Sequence, residues 1–322
     1  MKKYLILSSF LIISLSSMAQ NADTISKKKS ASTTKSASGE SAADSLLNSL
    51  NTDNNKKEPI AIFKSSRLIL SQTTETVKKK NLNFLIIHRF GDFGGKQGGG
   101  QFYYGLDDVA DVYIGFEYGL TNNLNIDIGR TTIGGLADLE FKYAILHQTA
   151  DNSSPLAITL IGEGGVRPYG FAPYATFGDR VSYFGQAIFA RKFSQGLSLQ
   201  ISPSYIINNQ PFPNIPGNQN SFLSVSATGV IKVSKHMGLI IDYAHPFSTF
   251  RQNNANFTDP LGFGIEIETG GHVFTLNITN ARAVSEINYL NDTESKFSKG
   301  QFRLGFTISR MFDFNSHKNS DK

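Results

Sequence analysis

Leu197-Ser198-Leu199-Gln200-Ile201-Ser202 alternates apolar with polar at every step, and Phe302-Arg303-Leu304-Gly305-Phe306-Thr307 repeats the pattern near the other end of the chain. A period of two belongs to a strand with one face against an apolar medium. About twelve such stretches of roughly ten residues follow one another from Leu82 to Phe312, each long enough to cross a bilayer. A soluble sheet would also alternate. Uniform segment length, with gaps that alternate short and long, is the pattern of a transmembrane β-barrel.

The predicted strands are Leu82–Phe90, Val109–Gly119, Leu124–Arg130, Leu136–Gln148, Leu156–Val166, Arg180–Phe193, Leu197–Ile207, Phe222–Val233, Leu239–Phe247, Leu261–Glu268, His272–Ala281 and Gln301–Phe312. The fold class is therefore all-β, an antiparallel transmembrane β-barrel of twelve strands, with fourteen as the alternative count. Connections such as Thr121-Asn122-Asn123, Ser194-Gln195-Gly196 and Gly270-Gly271 are short, and Thr149 to Pro155 is moderate. Those of the other parity are mostly long, including Gly91 to Asp108, Asn208 to Ser221 and Arg282 to Gly300. Outer-membrane barrels carry tight periplasmic turns and longer external loops, so both ends of the barrel are expected in the periplasm.

The barrel, expected over 81–314, is preceded by other segments. Lys2 and Lys3, the apolar run Tyr4 to Leu15 and the small residues Ser17-Met18-Ala19 read as a signal peptide, 1–19, cleaved before Gln20. Residues 20–59 are rich in Ser, Thr, Ala, Asn and Lys and read as a disordered periplasmic leader. Residues 60–80 turn apolar again and fit either an extra strand or a plug inside the barrel. Residues 315–322 form a polar tail. With Cys 0, neither a lipid anchor on cysteine nor a disulfide is possible. Gly 29, Phe 25 and Tyr 12 suit barrel turns and aromatic girdles built without Trp.

Alternation also assigns faces. Val112, Ile114, Phe116 and Tyr118 would meet lipid, as would Leu197, Leu199 and Ile201. Asp111, Glu117, Asp127, Asp138, Glu140, Lys142, Glu163, Arg167, Lys192, Lys232, Asp242, Glu266, Glu268 and Arg303 fall on the opposite face. A charge in hydrocarbon is costly, so these residues are expected to line the lumen. Acids outnumber bases there, which would favour small cationic or neutral polar solutes unless the charges pair into a plug.

Other chemistry is weakly signalled. Gly94-Gly95-Lys96-Gln97-Gly98-Gly99-Gly100 lacks the Lys-Ser/Thr ending and helix of a phosphate loop and reads as a flexible outer loop. The six His are scattered, so no metal site and no cofactor is expected. His88, His147 and His272 are the candidates if a Ser–His hydrolase pair were present. The net charge of +5 is spread along the chain, and no nucleic-acid partner is expected.

Several short stretches carry a resemblance: His88-Arg89-Phe90-Gly91, Gly105-Leu106-Asp107-Asp108, Glu117-Tyr118-Gly119-Leu120-Thr121, Ala190-Arg191-Lys192-Phe193, Ser202-Pro203-Ser204-Tyr205, Glu268-Thr269-Gly270-Gly271-His272-Val273-Phe274 and Ile308-Ser309-Arg310. From about Phe63 to Phe312 the chain resembles an uncharacterised family of Bacteroidetes-type outer-membrane β-barrel proteins. The resemblance implies a barrel in the outer membrane of a Gram-negative bacterium. Outer-membrane lipid and the barrel-assembly machinery are then its expected partners, and no substrate is implied. Many such proteins end on an aromatic residue, whereas here a polar tail follows Phe314. The functional expectation is a small pore or transport protein. The other readings are a closed barrel whose external loops bind a ligand or partner, and an outer-membrane hydrolase.

Overall fold

The computed structural model of the chain describes residues 58–210 and 217–314. The signal peptide expected at 1–19, residues 20–57 of the expected leader and the tail 315–322 lie outside the described residues.

Twelve antiparallel strands close into one barrel. They are β1 Asn81–Asp92, β2 Val109–Gly119, β3 Leu124–Thr131, β4 Ala137–Leu146, β5 Ala157–Val166, β6 Val181–Lys192, β7 Leu197–Asn208, β8 Ser221–Lys232, β9 Met237–Phe247, β10 Leu261–Thr269, β11 His272–Thr279 and β12 Arg303–Asp313. Every strand pairs with its neighbours in sequence, and β12 closes the sheet on β1 with Asn81 opposite Asp313 and His88 opposite Phe306. All twelve predicted strands are present, with ends displaced by a residue or two, and among the described residues no further pair makes fourteen. Closure leaves no unpaired edge, which a strand in lipid could not tolerate.

The short turns share one local design. Leu120, Phe193 and Val233 each donate their N–H to the carbonyl of the residue four positions on, Leu124, Leu197 and Met237. The next residue in each case is Thr121, Ser194 or Ser234. Its hydroxyl accepts from backbone N–H groups inside the turn, those of Asn123 and Leu124, of Gly196, and of His236 and Met237. A hydroxyl side chain that replaces a backbone acceptor is what makes Ser and Thr turn residues. The β10–β11 hairpin instead turns on Gly270 and Gly271, both at positive φ, as a tight two-residue turn requires.

The outer surface is apolar. Ile128, Leu223, Ile231 and Leu276 are each more than half exposed, and Phe84 packs on Phe116 with ring centroids 5.1 Å apart. Tyr169 and Phe177 stand exposed toward the long-loop end, and Phe193 and Phe314 toward the short-turn end. The glycine-rich stretch is not the flexible loop expected. Phe93 N–H donates to Phe302 O at 2.7 Å, Gly94 N–H to Gly300 O at 2.9 Å, and Gly98 is buried. Two glycine-bearing loops pack backbone to backbone here, an approach that side chains would block.

Candidate functional site

Two insertions fill the barrel, one from each end. Residues 58–80 form the first; most of them are buried, and they contribute no strand to the sheet. Ile60 N–H donates to Gln148 O at 2.9 Å, where the chain enters at the short-turn end. It runs inward, reverses at Leu68–Ser71 (Leu68 N–H to Ser71 O, 2.9 Å; Thr73 N–H to Ser66 O, 2.9 Å) and returns to Lys80 at the start of β1. An isolated bridge between Arg67 and Gln72 is its one strand-like pairing within the hairpin. The second insertion is the loop between β11 and β12. Ala281, Val284, Ile287 and Leu290 are buried, and Glu286–Tyr289 make one helical turn inside the barrel.

The insertions meet. Tyr289 OH donates to Leu70 O at 3.0 Å, and Arg67 Nη1 to Glu286 Oε2 at 2.8 Å. Arg89 on the inner face of β1 ties both to the wall. It donates to Ile69 O at 2.8 Å and to the carbonyls of Ala281 and Ala283. Asp242 grips the hairpin tip by accepting from Leu70 N–H, Ser71 N–H (both 2.8 Å) and Ser71 Oγ (2.7 Å).

Packing adds to this. Ile62, Phe63, Leu68, Ile69 and Leu70 of the hairpin join Ile287 and Leu290 of the loop in one cluster with Phe184, Ile206, Phe222, Val230 and Ile240 from β6 to β9. Each such side chain contributes roughly 1.5–3 kcal/mol when fully buried. The inner wall is thus two-sided, with apolar side chains gathered on β6–β9 and acids on β2–β5.

The residues assigned to the inner face occupy distinct places. Asp111 accepts from Thr131 Oγ1 (2.5 Å), Thr132 Oγ1 (2.8 Å), Ile133 N–H (3.0 Å) and Val284 N–H (2.8 Å), so it fixes both a turn and the inserted loop. Glu117 accepts from Ser66 Oγ at 2.6 Å and Asn83 Nδ2 at 2.8 Å. Asp138 accepts from Tyr113 OH at 3.0 Å, and Glu140 from Gln72 Nε2. Lys142 donates to Ser66 O at 3.3 Å, and Arg167 to Ser182 Oγ and Asn288 Oδ1, both at 2.9 Å. Asp127, Glu163 and Glu266 are buried, and each has a carboxylate oxygen with no hydrogen-bond partner. Arg303 pairs with Asp92 at 2.9 Å toward the long-loop end. Lys192 donates to Ala61 O at 3.3 Å. Glu268 is about half exposed at the short-turn end, 3.2 Å from Lys64, and Lys232 is exposed there too. Most of these groups therefore hold the insertions in place and do not face an open lumen.

Sequence reasoning passed over Arg67, Glu75, Glu286 and Tyr289, which lie outside the strands. It also passed over Arg89, although Asn83, Leu85, Ile87 and Arg89 share the inner face of β1. Of the three histidines, His88 stacks on Phe306 (5.3 Å), His272 on Phe274 (5.9 Å), and His147 meets Asn123 Oδ1 at 3.1 Å.

A cavity of about 370 Å³ lies at each end. At the short-turn end it is lined by Ala61–Ser66 and Glu75–Val77 of the hairpin, facing Lys192, Ser198, Glu266 and Ser309. At the long-loop end it is lined almost wholly by polar groups, among them Asp92, Arg282, Asp292, Glu294, Lys296 and Arg303. The two share no lining residue. Burial raises Asp292 above its ordinary value, with Arg282 opposing it, and burial raises Glu294 likewise.

Several solved structures are similar to this chain at very low identity. The NanC porin is 9% identical over 71% of this chain and 98% of its own, with a TM-score of 0.44. The KdgM porin in complex with disordered oligogalacturonate is 7% identical over 71% and 99%, with a TM-score of 0.45. An outer membrane channel from Pseudomonas putida F1 is 11% identical over 74% and 98%, with a TM-score of 0.41. No curated protein matches the sequence. The family model described as Membrane bound beta barrel domain (DUF5777) matches residues 63–312, a span that takes in most of the hairpin, all but the last residue of the twelve strands and the inserted loop, and the chain belongs to that family.

Proposed function

We propose that this chain is a gated transport barrel of the outer membrane, closed at rest by the hairpin 58–80 and the loop 281–295. The carrying observation is that the closure joins two separate insertions through non-covalent contacts, with a cavity at each end. A barrel of this strand number lies between the filled and the open sizes, so a removable filling leaves a narrow passage. The hairpin tip is held by the Asp242 carboxylate and the Arg89 guanidinium, groups that water can replace once the tip moves.

Planar bilayers test this reading. The wild-type protein is expected to show rare, brief openings. Asp242→Ala and Arg89→Ala loosen the tip and should lengthen them, with current carried mainly by cations. Silence in all three would end the transport reading. It would leave the second one, a closed barrel that binds a polar ligand at its long-loop end, which the almost wholly polar lining of that cavity favours.

A further inference from the structure

Four acids stand side by side across four strands. Glu117 of β2 is the direct partner of Asp127 of β3, Asp127 of Glu140 of β4, and Glu140 of Glu163 of β5. All four are buried, and Asp138 sits two residues from Glu140 on the same face. Like charges placed directly opposite repel, so such a row is destabilising unless a cation or a shared proton offsets it. Lys142, on the same wall, and Arg67, delivered by the hairpin, approach the row. Glu286 then adds a further acid from the inserted loop.

Arg67 satisfies the row poorly. One of its donors reaches Glu286 at 2.8 Å, but the other terminal nitrogen is 3.8 Å from Glu140, and its Nε has no acceptor. Meanwhile one oxygen each of Asp127, Asp138, Glu140, Glu163 and Glu286 is buried without a hydrogen-bond partner. The Tyr113 ring lies beneath the guanidinium, 5.4 Å from its centre, and its hydroxyl donates to Asp138. Carboxylates around an aromatic face recognise a planar, weakly hydrated cation with several fixed donors, and a guanidinium has five. A tethered arginine reaches few of these acceptors because the hairpin fixes its position.

We infer that the inner face of β2–β5 is a binding site for small solutes bearing a guanidinium group, and that Arg67 occupies it as a tethered substitute while the barrel is closed. This deepens the gated-barrel reading and rests on it. Solute arriving at the acid row would compete with Arg67 and so favour release of the hairpin. The route to the row is short. Ser66 lines the cavity at the short-turn end and donates to Glu117 at 2.6 Å.

The test measures binding, not current, on the full chain folded in lipid vesicles. Arg67→Gly empties the site. Methylguanidinium chloride should raise the thermal unfolding midpoint of this variant, at concentrations about tenfold lower than tetramethylammonium chloride needs, since only the former donates hydrogen bonds. Wild type should respond weakly, and Arg67→Gly combined with Glu140→Gln should lose most of the response. Equal responses to the two salts, or equal responses of wild type and Arg67→Gly, would overturn the site. If Arg67→Gly does not fold, Arg67→Lys serves. It keeps a tethered cation without the planar fork, and it must respond to methylguanidinium more than wild type does. A barrel that never conducts leaves this measurement intact, so the failure of the gate and the failure of the site are told apart.

Discussion

Arg67 and Glu286 lie 219 positions apart in sequence, yet they form a buried ion pair at 2.8 Å that joins the hairpin entering from one end of the barrel to the loop entering from the other. Neither residue belongs to a strand.

The two partners should not weigh equally. Arg67→Met strands Glu286, Glu140 and Glu163 without their cation, and loss of one partner from a buried pair costs roughly 3–5 kcal/mol. Glu286→Gln removes one acid from a region that has too many and leaves Arg67 near Glu140, so a loss of roughly 1–2 kcal/mol is expected. Urea unfolding in lipid vesicles compares them. An equal cost, or a larger one for Glu286→Gln, would mean that the acids are not in excess.

The two faces of β2 and β7 should respond differently to the same substitution. Ile114 and Leu199 are more than 40% exposed on the outer surface, so Ile114→Arg and Leu199→Arg place a charge against hydrocarbon at roughly 2–4 kcal/mol near the midplane. Gln200 points inward and donates to Gln72 O of the hairpin at 2.7 Å. Gln200→Arg should therefore leave membrane insertion intact while it loosens the hairpin. Folding yield into vesicles separates these outcomes, and an equal loss for all three would refute the assignment of faces.

Gly129 provides a packing test. A Cβ at this position would run into the Tyr113 ring, and one at Gly115 would come within 2.7 Å of it. Gly129→Ala should displace Tyr113 from Asp138 and from Arg67 at a cost of roughly 1–3 kcal/mol, as overpacking does. Gly162 is exposed, with open space where a Cβ would stand, so Gly162→Ala should be tolerated. Thermal unfolding of the two variants side by side is the check, and similar midpoints would contradict the account of Tyr113.

Sidedness follows from the loop parity. A tag at Asn253, exposed in a long loop, should be labelled on intact cells, whereas one at Asn122 in a short turn should not. Gly98 is unsuitable as a tag site because it is buried against the backbone of Asp92 and Gly94. The reverse labelling pattern would invert the barrel.

Asp292 should make the long-loop end sensitive to pH. Its folded pKa is raised, so folding disfavours the ionised form. The penalty is absent below about pH 4, the unfolded carboxylate value, grows as pH rises through the folded value, and is constant above it. Asp292→Asn cannot ionise. The variant should match wild type in unfolding midpoint at low pH and exceed it near neutrality. A difference that stays flat with pH would show that Asp292 is not the group responsible.

Strand existence, count and face were legible because a barrel wall in lipid obeys a local rule. Where Leu199 must meet hydrocarbon and Gln200 must not, the alternation is written in adjacent residues. The rule blurs where the inner face is apolar too. Ile206-Ile207 and Ile240-Ile241 place one isoleucine in the core and the next on the outer surface, so a two-sided apolar strand conceals what its inner face packs against. Leu85 and Ile87 of β1 do the same, in contact with Val284 of the inserted loop.

By itself, then, the sequence determined the wall: twelve strands, their order, which side of each meets lipid, and that the acids of β2–β5 turn inward. Only the tertiary structure decided what fills the barrel. Residues 60–80 carry apolar side chains without a clean period of two, which suits a plug as well as a strand. Closure of the barrel on β12 already satisfies the edge of β1 that an extra strand would have used. The loop after β11 reads as polar and external, and it turns inward because Arg89, Asp111 and Arg67 meet its carbonyls, its Val284 N–H and its Glu286. Those contacts join residues far apart in the chain, and a local pattern carries no record of such distances.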